Sequence, residues 1–103
     1  MEKVKLQAQY GLYINGQWRN ASDGATYNAE SPADGSHLAV CAQGSREDVE
    51  AASAAAWEAF KTWKKTTPAQ RAALLNKIAD IIDANKEHLA MVESMDNGKP
   101  IRE

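Results

Sequence analysis

The chain has 103 residues, a net charge of −2, 44% hydrophobic residues and 25% charged residues, a balance typical of a soluble single-domain protein. The charge balance and the lack of a basic stripe with interleaved aromatics exclude a nucleic-acid binder, and no apolar run is long enough for a membrane span. Cys41 is the single cysteine, so no internal disulfide can form and a reducing compartment, the cytoplasm, is expected.

Residues 1–9 carry no clear pattern. β-Hairpins are expected over 10–42. Asn15-Gly16, between Tyr13-Ile14 and Gln17-Trp18, is a strong hairpin signal because a type I′ turn needs positive φ at both central residues. Ala25–Ala29 reads as a short strand, and Ser31-Pro32-Ala33-Asp34-Gly35 is turn chemistry. His37–Ala42 follows as a strand, with Leu38, Val40 and Ala42 on one side.

A first helix is expected over 45–64, opened by Ser45 with Asp48 three positions on, and carrying Val49, Ala52, Ala56, Phe60 and Trp63 at helical spacing. A single long helix is expected over 67–98. Thr67, Pro68 and Gln70 mark its start; Asn97-Gly98 and Pro100 mark its end. Leu74, Leu75, Ile78, Ile81, Ile82, Leu89 and Val92 fall on one face, with Asn76, Asp80, Asp83 and Glu87 opposite. The short connection between the helices predicts an antiparallel pair. As it stands this is an α+β chain, and Ile101–Glu103 reads as the opening of a further element. An apolar stripe this long expects a large surface to lie against.

Candidate chemistry is sparse. Cys41 would sit in a strand with nothing to lower its pKa, so it reads as a passive apolar side chain. His37 and His88 lack metal-ligand spacing. Glu47 and Asp48 occupy a helix's first turn, where acids are favoured in any case. Trp57 and Trp63 fall at packing positions. Asp96 lies one turn beyond Val92, on the apolar side of a helix C-terminus, where an anion requires a positive partner or several donors.

Taken in order, YINGQW, SPADG, EDVEAASAAAWEAFKTW, RAALLNKIADII and ESMDNGKP resemble the N-terminal segment of NAD(P)-dependent aldehyde dehydrogenases, from about Leu12 to the last residue. The resemblance implies a piece of a much larger α/β enzyme, at the start of its Rossmann-like cofactor domain. Members of that family oxidise aldehydes through a cysteine thiohemiacetal, with hydride transfer to NAD or NADP and a glutamate as general base. The motifs for those steps do not occur in these 103 residues, so no catalytic or cofactor-binding residue is assigned and the chain alone is expected to be inactive. The ending GKPIRE points to small aliphatic aldehydes. The expected partners are the rest of such a chain and further copies in a homo-oligomer, with no nucleic acid and no membrane. The resemblance also implies a monovalent cation held by Asp96 and the backbone carbonyls of Ala29 and Glu30; Ser31 and Asp34 depart from the usual family pattern beside it. The competing reading is a non-catalytic helical interaction module that pairs with itself or another subunit.

Overall fold

The computed structural model describes residues 5–101. The strands β1 (Gln9–Tyr10), β2 (Leu12–Ile14), β3 (Gln17–Arg19), β4 (Thr26–Glu30) and β5 (His37–Ala42) precede the helices α1 (Arg46–Trp63), α2 (Pro68–Ala84) and α3 (Lys86–Asn97). No helix among the described residues is long and apolar enough to cross a membrane.

The two expected hairpins form. β2 and β3 pair antiparallel through the Asn15-Gly16 turn, whose φ angles are 54° and 76°. β4 and β5 pair antiparallel around the Ser31-Pro32 turn. That turn closes on itself: the Ser31 N–H donates to Ser36 O at 2.8 Å, and Ser31 O accepts from the Gly35 N–H at 2.7 Å. Residues 1–9 were expected to be patternless, yet Gln9 and Tyr10 form β1, which adds parallel to β5. β5 is therefore the middle strand of the order β1-β5-β4. The expected alternation is not kept along β5, and Ala39 is its most buried residue. Residues 1–4, and Arg102 and Glu103 of the expected further element, lie outside the described residues.

The helix caps form as the sequence predicts. Ser45 and Thr67 each complete a capping box, with Asp48 and Gln70 respectively. Gly98 ends α3 in the left-handed region at φ 79°, and its N–H donates to Ser94 O at 2.9 Å. The single helix expected over 67–98 is instead two. It breaks at Asn85, at φ −118° and ψ 14°. There the Asn85 side-chain Nδ2 donates to Ile81 O at 2.8 Å, while its backbone N–H donates to Ile81 O and Ile82 O. One residue thus takes the last-turn carbonyls of α2 with both its side chain and its backbone, the known competition of Asn with helix continuation.

The interior is small. Among the described residues the buried apolar side chains are Ala21, Ala39 and Met95, and α2 buries nothing. The Cα radius of gyration is 17.1 Å, against about 13 Å for a compact chain of this length. The helical half follows from this: α1 and α2 meet at their connection with little packing between them.

Gly11, between β1 and β2, has a steric role. A Cβ there would lie 2.7 Å from the Arg19 carbonyl oxygen. Gly11→Ala is expected to destabilise the strand region by about 1–3 kcal/mol, the usual cost of an added methyl that displaces backbone; urea denaturation followed by circular dichroism measures it.

Candidate functional site

Two polar centres are built into the fold. The first is Asp48. The sequence pattern offers it as an ordinary first-turn acid, but it is 2% exposed. Its carboxylate accepts from the Ser45 N–H at 2.9 Å, the Ser45 hydroxyl at 2.9 Å, the Ser22 N–H at 3.1 Å and Arg19 Nη2 at 2.8 Å. The Ser22 and Ser45 hydroxyls lie 2.8 Å apart at its edge. Four segments meet here: the end of β3, the following loop, the helix cap and α1. The Ser45 backbone bond is the largest influence holding Asp48 ionised, well below the usual carboxylate range; burial opposes it, and the bonds from Ser22, Ser45 Oγ and Arg19 add to it. Arg19 also lines a groove of about 550 Å³ with Trp18, Tyr10 and Asn20, but its guanidinium is committed to Asp48.

The second centre is a cleft of about 450 Å³ between the sheet and α3. Ala29 and Cys41 approach from the sheet, and His88, Glu93 and Asp96 from α3. Asp96 is exposed on this cleft, and no salt bridge among the described residues involves it. Tyr27 stands opposite Cys41 in the β4–β5 register. Its hydroxyl is pushed above the ordinary tyrosine value, chiefly by the charge of Cys41 and its hydrogen bond, and to a smaller degree by Asp96.

The residues that the resemblance names for a cation fall as follows. Asp96 and Ala29 line one cleft; Glu30 is exposed and outside its lining. The β4–β5 register shifts between Ala29 and Glu30, which pair with Ala39 and His37, so the residue left without a ladder partner is Leu38 of β5. Gly98 fixes α3 against the turn: a Cβ there would come within 3.2 Å of Pro32 Cγ. Cys41 and His88 share the cleft, but no group of three His, Cys, Asp or Glu among the described residues is placed to hold a metal ion. His37 is not among the residues lining the cleft. What sequence reasoning missed is the role of Asp48. Its capping box was legible, whereas its bonds from Arg19 and Ser22 cross more than twenty residues of chain.

The Asp48 geometry sets a pH dependence. With its folded pKa depressed, Asp48 stabilises the fold above the unfolded value of about 3.9, and the contribution is lost as pH falls from there toward the folded value. Asp48→Asn, which places an N–H₂ among N–H donors, is expected to lower the urea midpoint at pH 7. The gap between wild type and variant should narrow between pH 5 and pH 2, as read from urea titrations at several pH values.

Comparison with known proteins fits these elements. The profile of the aldehyde dehydrogenase family matches residues 18–103. The chain is 44% identical to a long-chain-aldehyde dehydrogenase of an Acinetobacter species over 98% of its own length and 20% of that protein. It is 45% identical to an aldehyde dehydrogenase of Vibrio cholerae over 97% of its own length and 20% of that protein. Among solved structures, PnpE in complex with nicotinamide adenine dinucleotide superposes with a TM-score of 0.87 at 42% identity, covering 91% of this chain and 19% of that one. The NAD+ complex of an aldehyde dehydrogenase from Bacillus cereus superposes with a TM-score of 0.86 at 40% identity, covering 91% of this chain and 20% of that one. The chain therefore spans about a fifth of the length of the curated relatives it matches.

Proposed function

The chain belongs to the aldehyde dehydrogenase family, and we propose that it supplies the N-terminal part of the cofactor-binding domain of an enzyme that oxidises an aldehyde to a carboxylic acid with NAD(P)+. The observation that carries this reading is the superposition on complete enzymes together with the exposed apolar faces of α1 and α2. A helix carrying Leu74, Leu75, Ile78, Ile81 and Ile82, all about half exposed or more, fits a structural element of a larger α/β domain. Solved relatives with NAD bound support the cofactor. No described residue of this chain is assigned to hydride transfer or to the nucleophile. Its part is to complete the domain that holds them.

The substrate is read as a small aliphatic aldehyde from the GKPIRE ending, although one relative is named for long-chain aldehydes. The same reading includes a homo-oligomer and a monovalent cation at Asp96. A carboxylate and main-chain carbonyls are the hard oxygen donors such an ion takes. Asp96, which joins no salt bridge among the described residues, and Ala29 in the same cleft support it.

The test is a chimera in which residues 12–103 replace the matching segment of the Vibrio cholerae aldehyde dehydrogenase. NADH formation from acetaldehyde or propionaldehyde is expected within about tenfold of the parent, equivalent to about 1.4 kcal/mol. A soluble, folded chimera without activity would overturn the assignment. Rates with acetaldehyde against a long-chain aldehyde read the preference, and size-exclusion chromatography reads the oligomer. The 103-residue chain alone should form no NADH.

In the chimera, Asp96→Ala is expected to abolish the rise in melting temperature on exchanging choline chloride for potassium chloride at equal ionic strength. An unchanged potassium response would remove Asp96 from the cation site.

A further inference from the structure

Two Asn-Gly pairs occur in the chain, Asn15-Gly16 in the β2–β3 turn and Asn97-Gly98 at the end of α3. In such a pair the asparagine amide is an electrophile, and the glycine nitrogen beside it is a nucleophile with no side chain to shield it. The structure treats the two pairs differently. At the end of α3 both reacting groups are engaged: Asn97 Oδ1 accepts from the Lys99 N–H at 2.9 Å, and the Gly98 N–H donates to Ser94 O at 2.9 Å. Gly98 is also crowded by Pro32, whose Cγ would lie 3.2 Å from an added Cβ. In the turn, no hydrogen bond among the described residues holds the Asn15 side chain or the Gly16 N–H. An added Cβ at Gly16 would meet nothing within 4 Å. We propose that Asn15 is a site of spontaneous backbone modification, converted through a succinimide to isoaspartate, and that the product draws Arg19 away from Asp48.

The reaction needs only water. The Gly16 nitrogen bonds to Asn15 Cγ and gives up its proton, the Cγ–Nδ2 bond breaks, and the side-chain nitrogen leaves as ammonia. Water then opens the ring. Addition at the main-chain carbonyl of residue 15 breaks its bond to the Gly16 nitrogen, so the chain runs on through Cβ and Cγ and a free α-carboxylate remains. Addition at Cγ gives aspartate instead. Ring closure turns the Gly16 nitrogen toward Asn15 Cγ, a rotation that the strand pairing resists. That resistance is weak: β2 and β3 have three residues each and form a sheet of two strands, and a lone hairpin is marginal in water. Asn15 is also held at φ 54°, a region uncommon outside glycine. The end of α3, by contrast, is anchored by the buried Ser94 and Met95.

The modification reaches Asp48 through register. Leu12 pairs with Arg19 and Tyr13 with Trp18 because a two-residue turn, with positive φ at both positions, joins the strands. Isoaspartate adds a main-chain atom to that turn, and this pairing no longer fits it. Arg19 ends β3, and its Nη2 lies 2.8 Å from Asp48 Oδ1. A shift of β3 withdraws a charged donor from a buried carboxylate, a costly loss. All of these groups belong to this chain, and the reaction is independent of the enzymatic reading.

Ageing the chain at mildly alkaline pH, followed by peptide mass spectrometry, reads both asparagines in one sample. Conversion at Asn15 is expected to outpace that at Asn97 about tenfold or more, the worth of the two hydrogen bonds that must first break at Asn97. In concentrated urea the two rates should converge. The aged chain should contain isoaspartate at position 15 and show a lower urea midpoint than the fresh one. Asn15→Gly keeps a favourable turn but lacks the amide, so ageing should leave its midpoint unchanged. Ageing should lower the midpoint of Arg19→Ala less than that of the wild type, because the bond to Asp48 is already gone. Equal rates at the two asparagines in water overturn the proposal, as does a difference that persists in urea. So does a chain that carries isoaspartate at position 15 and keeps its midpoint, or an equal drop in Arg19→Ala and wild type.

Discussion

The fold depends on one buried carboxylate. Asp48 holds together segments that share no hydrophobic core: Arg19 at the end of β3, Ser22 in the loop beyond it, and Ser45 at the start of α1. The apolar interior cannot do this work, since it consists of Ala21, Ala39 and Met95 among the described residues. Alanine contributes little burial free energy. Directional bonds to a charge therefore take over the role that packing plays elsewhere. They also fix register, because a carboxylate with four donors tolerates little displacement. Burial of the charge is tolerable because every side of it is met by a donor.

The rest of the molecule divides around this knot. The sheet and α3 form one supported unit: β5 is flanked by β1 and β4, Ser94 and Met95 are buried, and Gly98 lies against Pro32. The cleft carrying Asp96 lies between the sheet and α3 of that unit. α2 is different. It hangs between α1 and α3, capped at both ends and apolar along one face, with nothing buried beneath it. Helix caps satisfy backbone groups, but in water most helical stability comes from tertiary packing. The chain thus buries Asp48 among donors while its largest apolar stripe stays exposed.

That division also explains what was legible in the sequence. Local signals were read well. Asn15-Gly16, the Ser31-Pro32 turn, both capping boxes and Gly98 each depend on residues within a few positions of one another. Non-local pairing was not read. β1 consists of two residues whose partner lies some thirty positions away, and no local pattern marks it. Asp48 was visible as half of a capping box, while its other half, Arg19 and Ser22, comes from a different element. The break at Asn85 is intermediate. Asn is a poor helix former, but one such residue inside an otherwise periodic run is usually tolerated. Here the side chain bonds Ile81 O, and that local competition ends the helix.

The break at Asn85 bears on the Asp96 cleft. A continuous helix from Thr67 to Gly98 would carry its apolar stripe in one direction along its whole length. Splitting it lets α3 follow the sheet while α2 follows a different course. Leu89 and Val92 can then line the cleft beside Cys41 and Leu38, whereas Ile78, Ile81 and Ile82 remain at the surface. Asp96 lines the same cleft. It sits one turn beyond Val92, at the end of a short helix fixed by Gly98 on Pro32, beside the tyrosine hydroxyl whose ionisation it opposes. The carboxylate that looked misplaced on an apolar stripe is at the rim of a cleft, exposed to solvent.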